Sequence, residues 1–314
     1  MKVSGFTFVR NAIKYDYPVV ESIMSILPVC DEFIVAVGNS EDDTRNLVAS
    51  IGDPKIRIID TTWDETLREG GKVLAVETNK AFDAISPDSD WAFYLQADEV
   101  VHEKYLPEIQ AAMEKWQSDP KVEGLVFNYT HFWGSYQYIG DSRKWYRHEV
   151  RVIRNDKLIR SYRDAQGFRK ESRKLFVAPA NASVYHYGWV KPPQAQQAKQ
   201  KTFNRYWHTD RWIEQRVSES EIYDYSGMDF LAPFTKSHPN VMHERIERQD
   251  WEFAPARLNT SHSLKTAVLH FIEKRTGWRV GEYRNFKLVR GRGDMGTRGQ
   301  GDKRTSGQAD KQIC

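Results

Sequence analysis

Residues 91–100 read WAFYLQADEV: five apolar or aromatic positions from Trp91 to Leu95, then Gln96, Ala97 and two carboxylates, Asp98 and Glu99. A short, aromatic-rich apolar run reads as a buried strand. Charge directly after it marks where the strand leaves the core. The flanking chain has the same grammar. Val3–Val9, Glu32–Val37, Lys55–Ile59 and Glu123–Tyr129 are predicted strands, and Pro18–Leu27, Asp42–Ile51, Lys72–Ile85 and Pro107–Trp116 are predicted helices between them. Pro18 suits the first turn of its helix. Strands alternating with helices predict an α/β fold with a mainly parallel, doubly wound, Rossmann-like sheet and helices on both faces. Ligands of such sheets bind beyond the carboxyl ends of the strands. Asp98 and Glu99 are therefore expected at the ligand edge.

Beyond this array the pattern shortens. Glu149–Ile153, Lys157–Ser161, Lys174–Val177 and Ser183–His186 are β-like pieces, with turn signals such as Arg154-Asn155-Asp156 between them. Pro192–Val217 predicts one long polar helix, and Ser263–Lys274 another helix after an irregular stretch. We expect one domain over residues 1–235, in two halves of about 1–130 and about 131–235. A C-terminal extension (236–290) with a helix and a disordered basic tail (291–314) would follow. The last 24 residues hold almost nothing apolar.

A chain of 314 residues with 40% hydrophobic and 28% charged residues can bury a sizeable core. Aromatics reach 13%, a weak lean toward a sugar or nucleotide site, since rings stack on both. Cys30 and Cys314 make no disulfide framework. No apolar run approaches membrane-spanning length, and Met1–Tyr17 makes a poor signal peptide. A cytoplasmic protein is expected. Net charge is +3, yet residues 274–314 carry eleven Lys/Arg against four Asp/Glu. This basic C-terminal region could touch an anionic membrane surface or simply be solvated. Nucleic acid is not an expected partner.

Adjacent acids after a strand suit a hard divalent cation, which takes oxygen ligands from carboxylate and phosphate together. They equally suit the first turn of a following helix as caps. Spacing alone leaves both open. Gly38-Asn39-Ser40-Glu41-Asp42-Asp43-Thr44, after the second strand, can hydrogen-bond a base or ribose or can cap its own helix. Lys72, at a helix start, could approach a phosphate, but Gly70-Gly71-Lys72 lacks P-loop spacing. His238 and His243 show no zinc spacing with cysteine.

Taken in order, Val9-Arg10-Asn11, GNSEDDT at 38–44 and DWAFYLQADEVVHE at 90–103 resemble the family 2 glycosyltransferases of GT-A fold. Ser40, Asp42 and Thr44 match the later residues of the family's D-G-S-T-D-x-T loop, and Gln96-Ala97-Asp98-Glu99 aligns with its metal-binding D-x-D. The resemblance covers roughly residues 3–190. It implies a metal-dependent inverting glycosyltransferase that uses a nucleotide-diphosphate sugar and a glycan or glycolipid acceptor. It further implies Mn²⁺ or Mg²⁺ held by Asp98, Glu99 and His186. Donor contacts would come from Arg10, Asn11, Asn39, Asp42, Lys72, Gln96 and Asp98. A carboxylate in the later half would be the base that takes the acceptor proton. Asp141, Glu149 and Asp164 are candidates, with Asp164 the first choice. Gln96 stands where the first Asp of D-x-D is usual, and Gly38 where an acidic base contact is usual. No clear Q-x-x-R-W motif is present, which argues against a processive synthase. A nucleotidyltransferase and a catalytically degenerate nucleotide-sugar-binding module are the rival readings. The first would need a basic, Gly-rich loop that residues 3–15 lack.

Overall fold

The computed structural model describes residues 1–216, 220–255 and 263–289. In chain order the elements begin with β1 (Val3–Val9), α1 (Val19–Ile26), β2 (Glu32–Gly38), α2 (Thr44–Ala49), β3 (Ile56–Thr61) and α3 (Lys72–Asp83). Next come β4 (Trp91–Tyr94), β5 (Glu99–Val101), α4 (Leu106–Trp116), β6 (Gly124–Trp133), β7 (Ser135–Gly140) and β8 (His148–Arg154). The hairpin β9 (Ile159–Tyr162) and β10 (Gly167–Lys170), then β11 (Arg173–Lys174) and β12 (Phe176–His186), complete the β-rich part. The remainder is α5 (Pro193–Phe203), α6 (Asp210–Arg216), β13 (Leu231–Pro233), α7 (His243–Glu247), α8 (Leu264–Thr276) and β14 (Lys287–Leu288). Among the described residues no helix is long and apolar enough to cross a membrane.

The main sheet runs β13-β7-β6-β8-β4-β1-β2-β3. β1 pairs parallel with both β2 and β4, and β2 with β3, which makes the Rossmann-like half. β8 then enters antiparallel to β4 and β6. This extends a parallel array with antiparallel strands, as in a GT-A fold. β12 lies parallel to β6 and antiparallel to β5, so the short strand after the acidic pair is itself part of the sheet.

Side-chain alternation divides the core into two layers. Phe33, Val35, Val37, Trp91, Phe93 and Leu95 point to one face, where α1 and α4 cover them through Ile23, Ile26, Ile109 and Met113. Phe6, Phe8, Ile34, Ala36, Ala92 and Tyr94 point to the other, under Val73, Leu74, Ala81 and Phe82 of α3. Period-two alternation with burial on both faces is what a parallel strand sandwiched by helices requires.

Two expectations change. The single helix over 192–217 is broken into α5, a tight turn at Asn204–Tyr206 and α6. The carbonyls that would continue it are taken from outside: Arg68 donates to Arg205 O at 3.0 Å and His208 O at 3.1 Å, and the Gly71 amide to Tyr206 O at 3.0 Å. Lys174 ends β11, while 176–177 and 183–186 belong to one strand, β12, whose register slips between Pro179 and Ser183 at left-handed Asn181. The basic tail expected at 291–314 lies outside the described residues.

Phe6 is fully buried between the ring of Phe82 on α3 (5.4 Å) and that of Tyr94 on β4 (5.2 Å). Phe6→Ala should lower unfolding free energy by about 3–5 kcal/mol in urea titration; a change under about 1 kcal/mol would contradict this packing.

Candidate active site

β4 ends at Tyr94, and residues 96–99 turn tightly, with the Glu99 amide donating to Gln96 O at 3.0 Å. This turn sends the two acids in opposite directions. Glu99 enters the core, fully buried, and Arg151 of β8 grips it in a two-bond fork, Nε to Oε2 and Nη2 to Oε1 at 2.7 Å each. Tyr129 Oη donates to Oε1 at 2.8 Å, and the Gln96 amide to Oε2 at 3.1 Å. Bidentate guanidinium–carboxylate geometry is what lets such a pair survive desolvation. Both Glu99 oxygens are therefore committed to holding the fold. Both oxygens of Glu99, expected as a metal ligand, are taken up by Arg151 of β8, the strand antiparallel to β4.

Asp98 turns the other way, onto the wall of a cavity of about 860 Å³ including its open mouth. Phe8, Arg10, Tyr15, Tyr17, Trp63, Gln96, Asp164, His186, Lys199 and Tyr206 are among the residues lining it. Asp98 Oδ2 accepts from Lys199 Nζ at 3.2 Å, and Oδ1 lies 3.8 Å from His186 Nε2. Burial alone would raise the Asp98 carboxyl, but the charge and hydrogen bond of Lys199 outweigh it and hold it well below the usual carboxylate range. Gly188 makes the cluster possible, because a Cβ there would sit 2.6 Å from both Asp98 Oδ2 and His186 Nε2.

A chain of bonds fixes the imidazole of His186. His131 Nε2 meets the Tyr146 carbonyl at 2.8 Å, so that nitrogen carries the proton. His131 Nδ1 must then accept, 3.1 Å away, from His186 Nδ1. Burial keeps both imidazoles below their ordinary values and hence neutral. His186 Nε2 is left with a lone pair directed toward Asp98. A gap of 3.8 Å is too wide for a hydrogen bond, and two donors each about 2.1 Å from one ion stand about 3.0–3.4 Å apart, so the pair would close by about half an ångström around a cation. Asp98 and His186 are the two cavity groups here that could hold a divalent cation. Among the described residues no group of three or more His, Cys, Asp or Glu is arranged to hold one, so further ligands would have to come from substrate or water.

Asp164 sits at the turn of the β9–β10 hairpin, half-buried on the cavity wall. The hairpin is tied to the acidic turn twice: Arg151 Nη1 donates to Gln166 O at 2.9 Å and Gln96 Nε2 to Ala165 O at 3.4 Å. Gly71, left-handed at φ 67°, allows Asp164 to pack against it, since a Cβ there would meet Asp164 Cβ at 2.8 Å. The other base candidates are elsewhere engaged. Asp141 pairs with Lys274 at 2.7 Å. Burial pushes the Glu149 carboxyl up to about 8, despite Arg151 and Asn285 nearby.

Of the expected donor contacts, the cavity gathers Arg10, Gln96 and Asp98. Arg10 reaches Asn39 O and Glu65 and lies 5.5 Å over the Trp63 ring. The others do structural work. Asn11 is buried and accepts from the Glu41 amide at 2.7 Å. Asn39 accepts from the Trp63 amide at 3.1 Å, and Asp42 caps the turn into α2 through Lys14 and Thr44 amides. Lys72 is exposed and pairs with Glu69 at 2.8 Å. His238 bonds Tyr187 Oη at 2.8 Å inside an aromatic cluster. Sequence reasoning missed Lys199 and the aromatic wall of Tyr15, Tyr17, Trp63 and Tyr206.

No family model and no curated protein matches the chain. Among solved structures, it is similar to glucosyl-3-phosphoglycerate synthase from Mycobacterium tuberculosis in complex with Mn²⁺, uridine-diphosphate and glucosyl-3-phosphoglycerate. That likeness has 18% identity and a TM-score of 0.30, and covers 42% of this chain and 45% of that one. The 4-diphosphocytidyl-2C-methyl-D-erythritol synthase from Anaerococcus prevotii DSM 20548 matches at 11% identity and a TM-score of 0.31, over 49% of this chain and 70% of that one. TM-scores near 0.3 add nothing to the functional case, which rests on the cavity itself.

Removing one partner of a buried ion pair strands the other. Glu99→Gln and Arg151→Ala should each cost about 3–5 kcal/mol in urea unfolding, and any weakening of Mn²⁺ binding should accompany that loss of stability. Loss of Mn²⁺ binding at unchanged stability would restore Glu99 as a ligand. Glu149 predicts a pH effect of definite sign. Its folded-state value lies above its unfolded one, so the folded protein binds the extra proton and stability falls as pH rises from about 4.5 to about 8. Glu149→Gln should remove that decline, on the order of 1–4 kcal/mol at its upper end, in urea titrations at stepped pH. An unchanged slope would show the carboxyl to be ionised in the fold.

Proposed function

We propose that the protein is a glycosyltransferase of GT-A type that binds a nucleotide-diphosphate sugar in this cavity and passes the sugar to an acceptor hydroxyl. The observation that carries the reading is the meeting, in one cavity, of the Asp98 carboxylate in the turn after β4, a second carboxylate at Asp164, and an aromatic wall. Each element has a use in such a transfer. Trp63 and Tyr206, 5.7 Å apart, offer flat surfaces for a base or sugar ring. Arg10 brings positive charge to the same wall. Asp98 and His186 would hold Mn²⁺ or Mg²⁺, which when bound offsets the charge of a departing diphosphate. In the inverting reaction, the acceptor oxygen bonds to the anomeric carbon as the bond to the diphosphate oxygen breaks. The acceptor proton goes to Asp164. A glycan or glycolipid acceptor follows from the family resemblance.

A panel of nucleotide sugars, screened by thermal shift and by release of nucleoside diphosphate, tests the reading. At least one should raise Tm and be turned over. Asp164→Asn should keep the Tm shift and lose turnover by about 10²-fold or more, the usual range for a general base. Asp98→Asn should lose turnover as well. A panel without any shift, or full turnover in both variants, would overturn it; binding without turnover would favour a binding module.

A further inference from the structure

Lys199 is the one residue of the cavity whose charge the sequence pattern does not explain. It lies on α5, whose buried positions are Gln196, Gln197 and Lys199 in place of an apolar stripe. Its side chain is 3% exposed. The ammonium donates to Asp98 Oδ2 and to Gly188 O, each at 3.2 Å, which among the described residues uses two of its three N–H groups. Its position is fixed by its surroundings. The Tyr17 ring lies 5.0 Å away and the Phe203 ring 5.2 Å. Tyr15 Oη bonds Thr202 at 2.8 Å and so pins α5 to the loop after β1.

A diphosphate approaching a bare Asp98 would meet like charge. Here that carboxylate already carries a cation built into the chain. The neighbouring acid is no obstacle either, because Arg151 neutralises Glu99. Arg10 lies on the same cavity but is paired with Glu65, and Asp164 adds a second carboxylate there, so Lys199 is the cation in direct contact with Asp98. A divalent ion between Asp98 Oδ1 and His186 Nε2 would share its carboxylate with this ammonium, and so enters a site where much of the negative charge is spent.

We propose that Lys199 is a resident cation for the donor diphosphate, so that nucleotide binding at Asp98 persists without a divalent ion. The proposal rests on the donor-site reading above and assigns its charge neutralisation to the chain itself. Lys199 would bind the diphosphate oxygens directly with its third N–H, and the divalent ion would add to this contact and not replace it.

Isothermal titration of the full chain with UDP, GDP, CDP and ADP, each in EDTA and in Mn²⁺, tests this. At least one should bind wild type in EDTA, with Kd within about tenfold of its value in Mn²⁺. Lys199→Met should weaken binding in EDTA by about tenfold or more, and Mn²⁺ should recover most of the loss through the freed Asp98. Lys199→Arg should bind in EDTA nearly as wild type does, which separates charge from packing; circular dichroism confirms that each variant is folded. Binding that appears only with Mn²⁺ would overturn the proposal while leaving the donor site intact. Equal binding of wild type and Lys199→Met in EDTA would do the same. Failure of all four nucleotides under both conditions would remove the donor site and this proposal together.

Discussion

The Glu99–Arg151 pair is the constraint on which the site depends. It is fully buried, and its fork geometry fixes the acidic turn relative to β8. Three further bonds spread from it. Tyr129 ties in β6, the Gln96 amide closes the turn, and Gln166 O anchors the β9–β10 hairpin. The turn carries Asp98 and the hairpin carries Asp164. One buried ion pair therefore sets where the two candidate catalytic carboxylates stand. Such a pair is weak as a source of net stability but strong as a device for fixing register.

Adjacent acids thus acquire opposite fates within a single turn. Glu99 continues into β5 and pairs with His186 of β12 across the sheet, which brings the imidazole beside Asp98. Asp98 stands on the cavity wall, where Gly188 leaves room for carboxylate and imidazole together. The tautomer of His186 is inherited from a backbone carbonyl through His131. Polar residues inside a core are costly unless partnered, and this chain of partners satisfies both ring nitrogens of His131 and Nδ1 of His186.

Much of the fold was legible because strand and helix periodicity carry it. Val3–Val9, Glu32–Gly38 and Trp91–Tyr94 alternate between two apolar layers, and each helix of the first half lies within two or three residues of its expected bounds. The edge position of Asp98 followed from strand order alone. What was not legible depends on partners distant in sequence. Nothing near Glu99 announces Arg151, and the polar loops holding Asn11, Asn39 and Asp42 read equally as caps or as ligand contacts. Lys199 escaped for a different reason: α5 has no apolar stripe, so its buried face could not be found by periodicity. A polar helix opened by Pro192-Pro193 directly after an aromatic strand was the available signal. The break after Phe203 was hidden for the same reason as Glu99, since Arg68 and Gly71 act from 130 residues or more upstream.

On the proposed reading, this cavity and no other surface takes the diphosphate of a donor nucleotide. A crystal structure of the protein soaked with whichever nucleoside diphosphate binds best tests it most directly. The account predicts phosphate density within hydrogen-bond reach of Lys199, beside Asp98 and His186, with the base against the aromatic wall. Nucleotide density anywhere outside that cavity would contradict it.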